Sequence, residues 1–233
     1  MDALILAAGY GSRLGKLLDG TPKPMLSIGG KPLLEKNIEK LLNIGIENIY
    51  VNAHFNHHVI RDFLDSSNKH SDRTVLIYEE ELLGTAGTVK NVIKKFNPSE
   101  LLVMHGDNYF EDDLTNMLQA FSNREDNFIG TIGTFITSQP ENCGILLISD
   151  GQIEKIYEKS KKNYGNIANS AIYLFDHRGL SKIEMLDEYQ KDLSTDFIPF
   201  VVQELKPVAL TGIFIDIGTP ENLIKARLHA EIN

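Results

Sequence analysis

The sequence predicts an α/β fold: a mostly parallel mixed sheet flanked by helices. Strand and helix patterns alternate through the first half of the chain, an order that implies parallel pairing with helices on both faces. A loop with Gly9 and Gly11 follows the first apolar run directly, and ligands in such sheets sit beyond the carboxyl ends of the strands. The 233 residues suffice for one large domain or two small ones. A net charge of -9 argues against a broad nucleic-acid or anionic-membrane surface. The single cysteine, Cys143, excludes an intramolecular disulfide and suits a reducing compartment. No charged leader precedes a cleavable apolar core, and no apolar run approaches the ~20 residues that span a bilayer. A cytoplasmic protein without membrane or nucleic-acid partners is expected.

Residues 3–7 form a continuous apolar run and read as a central strand. Pro32 opens a helix over 32–43, with Leu33, Leu34, Ile38, Leu41 and Leu42 on one face and Gly45 ending it. Strands at 46–51, 74–78 and 101–105 alternate with helices at 57–64 and 86–96, the latter stopping before Pro98. The second half changes rhythm. A helix is expected at 112–121, then strands at 128–135, 144–149, 153–157 and 171–175. Asp150-Gly151 is a hairpin signal. A helix at 195–204 and strands at 208–210 and 213–217 follow. Thr219 is placed as an N-cap, with Pro220 at the first helical position and Glu221 in the first turn of a helix that runs to about Ala230. No repeat, low-complexity segment or linker interrupts the chain, so the two halves are expected to share one body.

The stretch with most chemical content is the N-terminal loop, Ala8-Gly9-Tyr10-Gly11-Ser12-Arg13-Leu14, followed by Thr21-Pro22-Lys23-Pro24-Met25. Glycine lets the backbone curl and bring N–H groups close to anionic oxygens. Arg13 adds a forked cation suited to phosphate, and Lys23 stands between residues of fixed φ. Leu14 stands where a dinucleotide fingerprint would need its third glycine, and no Gly-Lys-Ser/Thr follows, so neither that motif nor a P-loop is present. Asp107 follows the 101–105 strand behind Gly106. Asp216 sits between Ile215 and Ile217 at the end of an apolar strand. A carboxylate there must be paired, exposed or metal-bound. The two acids either hold one Mg²⁺ against phosphate oxygens or serve structure alone. Gly84-Thr85-Ala86-Gly87 is either a closely packed helix start or a platform for a flat base. Glu79, Glu80 and Glu81 precede it; a carboxylate accepts the adjacent N1–H and N2–H of guanine, whereas a row of acids is otherwise a solvated edge. His54, His57 and His58 cluster near a turn and read as a polar helix start.

With Arg13 and the Pro-Lys-Pro clamp at this spacing, the chain resembles the sugar-1-phosphate nucleotidyltransferase family, and the resemblance runs from Leu6 to about Leu223. Leu83-Gly84-Thr85-Ala86-Gly87 and Phe214-Ile215-Asp216-Ile217-Gly218-Thr219-Pro220 look most like guanylyltransferases for mannose or heptose 1-phosphate. The resemblance implies a Rossmann-like, GT-A-like nucleotidyltransferase domain over 1–233, with about 1–110 as the nucleotide half and about 111–233 as the sugar-phosphate half. It implies transfer of a nucleotidyl group from an NTP, GTP favoured, to a sugar 1-phosphate, with release of pyrophosphate. Arg13 and Lys23 would be catalytic. Leu6, Ala8, Gly9, Gly11, Ser12, Glu79, Gly84, Thr85 and Gly87 would contact the nucleotide. Asn108, Gly144, Glu158, Lys159 and Asn169 would hold the sugar phosphate, and Asp107 and Asp216 would hold Mg²⁺.

Two departures stand out. Ser160 replaces the proline of the family's Glu-Lys-Pro, and Asn169-Ser170-Ala171 replaces Asn-Ala-Gly. The thymidylyl, uridylyl and cytidylyl branches stay open, as does a homo-oligomer. Because the chain ends soon after Asp216, no left-handed β-helix domain is expected to follow. A non-catalytic nucleotide-sugar sensor is the rival from another class, and a dinucleotide-binding oxidoreductase is more distant.

Overall fold

The computed structural model describes residues 1–66 and 72–232. They divide into two compact units. The first comprises Met1–Leu82, Met104–Glu111 and Gly212–Asn233; the second comprises Leu83–Val103 and Asp112–Thr211.

The N-terminal apolar run forms β1 (Asp2–Leu6), with Ala3, Leu4 and Ile5 fully buried. A short antiparallel hairpin, β2 (Ser27–Ile28) and β3 (Lys31–Pro32), was not legible in the pattern. Helix α1 (Leu33–Asn43) buries Leu33, Leu34, Ile38 and Leu41 at helical spacing. Strand β4 (Ile49–Ala53) begins three residues later than its apolar pattern suggests. The intervening backbone is spent on the turn: Ile46 N–H donates to Leu41 and Glu47 N–H to Met1. Helix α2 (His57–Ser66) leads to β5 (Thr74–Tyr78). Strands β1, β4 and β5 are parallel, with Ala3 opposite Ile49 and Ile49 opposite Thr74.

Helix α3 (Gly84–Phe96) opens the second unit, and β6 (Glu100–His105) returns the chain to the first at Met104. There β7 (Asn108–Phe110) follows. Helix α4 (Thr115–Ser122) starts later than expected because Asp112 holds the preceding turn. Its carboxylate accepts the N–H of Leu114 at 2.6 Å, and the N–H and hydroxyl of Thr211 at 2.6 and 2.7 Å.

In the second unit β8 (Gly130–Ile136), β9 (Gly144–Ser149), β10 (Gln152–Glu158) and β11 (Ile167–Asp176) pair antiparallel in the order β10-β9-β11-β8. Asp150 and Gly151 take φ of 50° and 77°, the left-handed pair that a tight hairpin turn requires. Strand β11 is twice as long as its pattern indicated and carries a register shift between Asn169 and Tyr173. Helix α5 (His177–Glu184) is capped by Asp176. The helix expected at 195–204 is broken: a wide turn at Leu193–Phe197 precedes α6 (Ile198–Val201), and Pro199 cannot donate to a continuous ladder.

Strand β12 (Leu205–Ala209) lies parallel to β8. In the first unit β13 (Phe214–Asp216) pairs antiparallel with β7, Asp216 opposite Asn108. Helix α7 (Pro220–Ile232) begins as read, with the Thr219 hydroxyl accepting Asn222 N–H at 3.3 Å. The α/β class therefore holds. Among the described residues no helix is long and apolar enough to cross a membrane.

Candidate active site

In the first unit the carboxyl end of β1 leads into the glycine loop. Leu6 C=O accepts Gly106 N–H at 2.9 Å, which aligns the end of β6 beside it. Ala7 N–H donates to the Asn52 side chain at 2.7 Å, and Ala8 is buried. Gly9 is exposed, with nothing within 4 Å of where a Cβ would stand. Gly11 differs: at φ 68° its missing Cβ would lie 2.7 Å from Leu18 Cδ1 and 2.9 Å from Lys23 Cγ. Glycine is required there because the Lys23 stem runs against the loop. Ser12 opens a short 3₁₀ segment that turns Arg13 outward and Leu14 inward.

Lys23 starts a single 3₁₀ turn between Pro22 and buried Pro24. Its ammonium donates to Asp107, and the side chains are only 13% and 15% exposed. Asp107 is drawn in by β6 and by its own carbonyl, which accepts Ile217 N–H at 3.0 Å. Burial would push its carboxyl up, but the charges of Lys23 and His105 and the Lys23 hydrogen bond hold it below the usual carboxylate range. Asp216, at the end of β13, accepts Gly218 N–H at 2.7 Å and lies 3.8 Å from Arg13 Nη2. Burial and the negative charge of Asp107 push its carboxyl up. Asn108 is buried in β7, its carbonyl accepting from Asn37 at 3.4 Å. Arg13, Lys23, Asp107 and Asp216 thus form one charged group, assembled from β1, β6 and β13. The charge of Asp107 disfavours ionisation of Asp216, and two carboxylate donors of this kind fit Mg²⁺ completed by phosphate and water.

Glu79, just beyond β5, is 3% exposed and accepts from Asn52 at 2.9 Å, whereas Glu80 and Glu81 are exposed. The row of acids is not uniform: its first member is part of the interior. His54 is also engaged, bonded to Tyr10 and to the Glu79 carbonyl, while His57 and His58 open α2.

The second unit carries the remaining candidates. Gly84, Thr85 and Gly87 form the first turn of α3, which begins two residues earlier than its apolar pattern. Gly84 takes φ 76° and abuts the Lys191 carbonyl too closely for any Cβ. Thr85 accepts Leu193 N–H at 2.7 Å and donates to Asp192 at 3.3 Å. Gly144 heads β9 opposite Glu158, the last residue of β10, and a Cβ there would strike the Glu158 carboxyl. Burial and the nearby Asp192 push Glu158 up, against the opposing charge of Lys159. Lys159 is exposed and takes φ 42°, its N–H donating to Cys143 at 3.0 Å. Asn169 donates to Tyr173 at 2.8 Å and accepts Ala171 N–H at 2.8 Å. Burial pushes the Tyr173 phenol up to about 12.

Sequence reasoning missed Asn52, Asp192 and Tyr173. Asn52 did carry a signal: a lone amide within the wholly buried strand Ile49–Ala53 must find partners.

A family profile described as Nucleotidyl transferase matches residues 2–232. A curated relative, the bifunctional protein GlmU of Methanococcus aeolicus, is 32% identical over 234 residues, covering 98% of this chain and 54% of that protein. The chain spans about half the length of the GlmU relatives it matches. Among solved structures, HddC from Yersinia pseudotuberculosis complexed with GMP-PN superposes with a TM-score of 0.81 at 30% identity, covering 98% of each chain. A Bacillus anthracis protein assigned as a glucose-1-phosphate thymidylyltransferase superposes with a TM-score of 0.90 at 25% identity, covering 99% of this chain and 95% of that one. With the match spanning nearly every residue and the charged group lying inside it, the chain belongs to the nucleotidyl transferase family.

Proposed function

We propose that this chain transfers a nucleotidyl group from an NTP to a sugar 1-phosphate, giving an NDP-sugar and pyrophosphate, with GTP the favoured donor. The observation that carries the reading is the group Arg13, Lys23, Asp107 and Asp216 beside the glycine loop. An oxygen of the sugar phosphate attacks the α-phosphorus, and the bond from that phosphorus to the bridging oxygen of pyrophosphate breaks. The nucleophile is already ionised near neutral pH, so no strong general base is needed. Catalysis is positioning and charge neutralisation.

Arg13 takes the triphosphate and the departing pyrophosphate, and Lys23 the phosphates at the reacting centre. The backbone of Leu6, Ala8, Gly9, Gly11 and Ser12 cradles the nucleotide. Asp107 and Asp216 would hold Mg²⁺, which when bound neutralises phosphate oxygens and orients them. Lys159 takes the sugar phosphate and Glu158 the sugar hydroxyls, with Gly144 leaving room for that carboxyl; Asn108 and Asn169 complete the acceptor contacts. Gly84, Thr85 and Gly87 offer close backbone to the base and ribose. The whole span works as one nucleotidyltransferase domain, in the cytoplasm, either alone or as a homo-oligomer.

The choice of GTP is supported by the HddC complex with GMP-PN. The thymidylyltransferase neighbour keeps dTTP as the competing donor. The test is pyrophosphate release with Mg²⁺, crossing GTP, dTTP, UTP, CTP and ATP with a panel of phosphorylated acceptors. Release with one donor–acceptor pair is expected. Release with a non-sugar phosphate would overturn the acceptor. Tight nucleotide-sugar binding without release from any pair would overturn the enzyme and favour a sensor.

A further inference from the structure

Strand β10 ends in two side chains that point to opposite faces of its sheet. Glu158 stands opposite Gly144, and Tyr157, one residue earlier, projects to the other side. Lys159 follows. At φ 42° it takes a left-handed backbone that an L-residue adopts only against a steric penalty. Such a conformation persists where the surrounding structure over-determines it. On the N-terminal side the support is direct, because Lys159 N–H donates to the Cys143 carbonyl at 3.0 Å.

On the C-terminal side the chain crosses a loop before β11. The far end of that loop is tied by Thr137 N–H, which donates to the Asn166 carbonyl at 2.9 Å. Between the two ties Lys161, Lys162, Asn163 and Gly165 are exposed. Ser160 Oγ accepts Lys162 N–H at 3.1 Å, and Asn163 Oδ1 accepts Gly165 N–H at 2.9 Å. Both bonds are local: they shape the turns without fastening them to the sheet. The ring of Tyr164 does fasten them. It lies flat on the ring of Tyr157, with centroids 3.6 Å apart and planes within 1° of parallel, and both residues are half-buried. The Lys155 ammonium lies 5.2 Å from the same Tyr157 centroid, so the ring that receives Tyr164 is itself held along β10.

We infer that Tyr164 is a positioning residue: by stacking on Tyr157 it anchors the loop after β10, and so aims Lys159 at the phosphate of the acceptor. This rests on the acceptor reading of Lys159 proposed above. A lysine ammonium on its long stem samples many positions, and a loop detached from the sheet would add backbone freedom to them. The stack removes that second source of freedom. Its effect falls on the acceptor and not on the NTP.

The experiment measures pyrophosphate release with each substrate varied in turn, in the parent chain, Tyr164→Ala, Tyr164→Phe, Lys159→Ala and Lys159→Ala/Tyr164→Ala. Trypsin cleavage after Lys161 and Lys162, located by mass spectrometry, reports on the loop independently of turnover, and thermal melts confirm folding. Tyr164→Ala is expected to raise KM for the sugar phosphate by about fivefold, the equilibrium worth of an aromatic pair, to leave KM for the NTP unchanged, and to speed cleavage. Tyr164→Phe keeps the ring and should stay near the parent in both readouts. In the Lys159→Ala background the loss of Tyr164 should add nothing to the acceptor KM, because the ring acts through the lysine. Equal rises in both KM values, an unchanged acceptor KM in Tyr164→Ala, or a fully additive effect in the double variant would overturn the assignment. An unchanged acceptor KM in Lys159→Ala would overturn the acceptor reading of that lysine and, with it, the role of Tyr164. Absence of turnover in the parent with every donor–acceptor pair would overturn the proposed reaction itself, and the cleavage rates would then show only whether the ring anchors the loop.

Discussion

Lys23 donates to Asp107 across 84 positions of sequence, and the two side chains are 13% and 15% exposed. A cation proposed for phosphate and an acid proposed for Mg²⁺ therefore neutralise each other within the protein. Removing one partner of a largely buried pair leaves the other charge uncompensated, which costs about 3–5 kcal/mol. Lys23→Ala is expected to lose stability of that order in denaturant titrations, and turnover by at least about a hundredfold. The double variant Lys23→Met/Asp107→Asn should recover much of the stability and none of the turnover. Near-normal pyrophosphate release from the folded double variant would remove both residues from the mechanism.

Asp216 should behave in the opposite sense to Asp107. Burial and the charge of Asp107 raise its carboxyl in the folded protein. A group whose folded value is raised contributes stability below its unfolded value and loses it as pH rises through the folded one. The ionised acid is thus a burden at neutral pH in the absence of a cation. Asp216→Asn, which can still accept Gly218 N–H, is expected to melt higher than the parent in chelator at pH 7, and to lose both turnover and the stabilising response to Mg²⁺. A lower melting temperature would show that ionised Asp216 supports the fold.

Asp107 follows the reverse rule. Burial acts to raise it, but Lys23 and His105 prevail and hold its carboxyl down, so its contribution is present above the unfolded value of about 3.9 and disappears as pH falls through the folded one. Acid titration of the parent against Lys23→Met/Asp107→Asn should show that this portion of acid sensitivity is gone from the double variant.

Gly11→Ala should damage the site through geometry. The added Cβ meets Leu18 and Lys23 at 2.7 and 2.9 Å, at a φ of 68°. The expected cost is about 1–3 kcal/mol, with a larger effect on kcat than on KM for the sugar phosphate, because the Lys23 stem is what must move. Gly9→Ala, in open space, is the control and should be far milder on stability.

Ala171 stands where the resembled family has glycine, and it takes φ 55°. The left-handed conformation costs an L-residue about 1–2 kcal/mol, partly offset for glycine by its freer unfolded chain. Ala171→Gly is therefore expected to stabilise by about 0.5–1 kcal/mol, read from denaturation midpoints. A destabilised variant would mean that packing of the methyl group outweighs the strain.

Much of the fold was legible because its signals are local. Strand β5 and strand β9 coincide with their apolar runs. Less was legible where a side chain competes for backbone. Asp112 consumes the turn that looked like a helix start, and Pro199 interrupts the helix expected at 195–204. The length of β11 was hidden because Asn169 and Ser170 break its apolar pattern, while pairing with β8 carries the strand through them.

What the sequence by itself determined is whatever short-range sterics and periodicity dictate: the buried run of β1, the Asp150-Gly151 turn, the Thr219-Pro220 helix start, and the Gly-x-Gly loop with its Pro-Lys-Pro neighbour. Only the tertiary structure decided which charges meet. Lys23 faces Asp107, Arg13 faces Asp216, and Asn52 stands between Ala7 and Glu79. Those meetings depend on strand order and register, which bring residues distant in sequence to one end of a sheet. Local propensity carries no record of them, because any carboxylate at a strand end looks alike until its neighbour is in place.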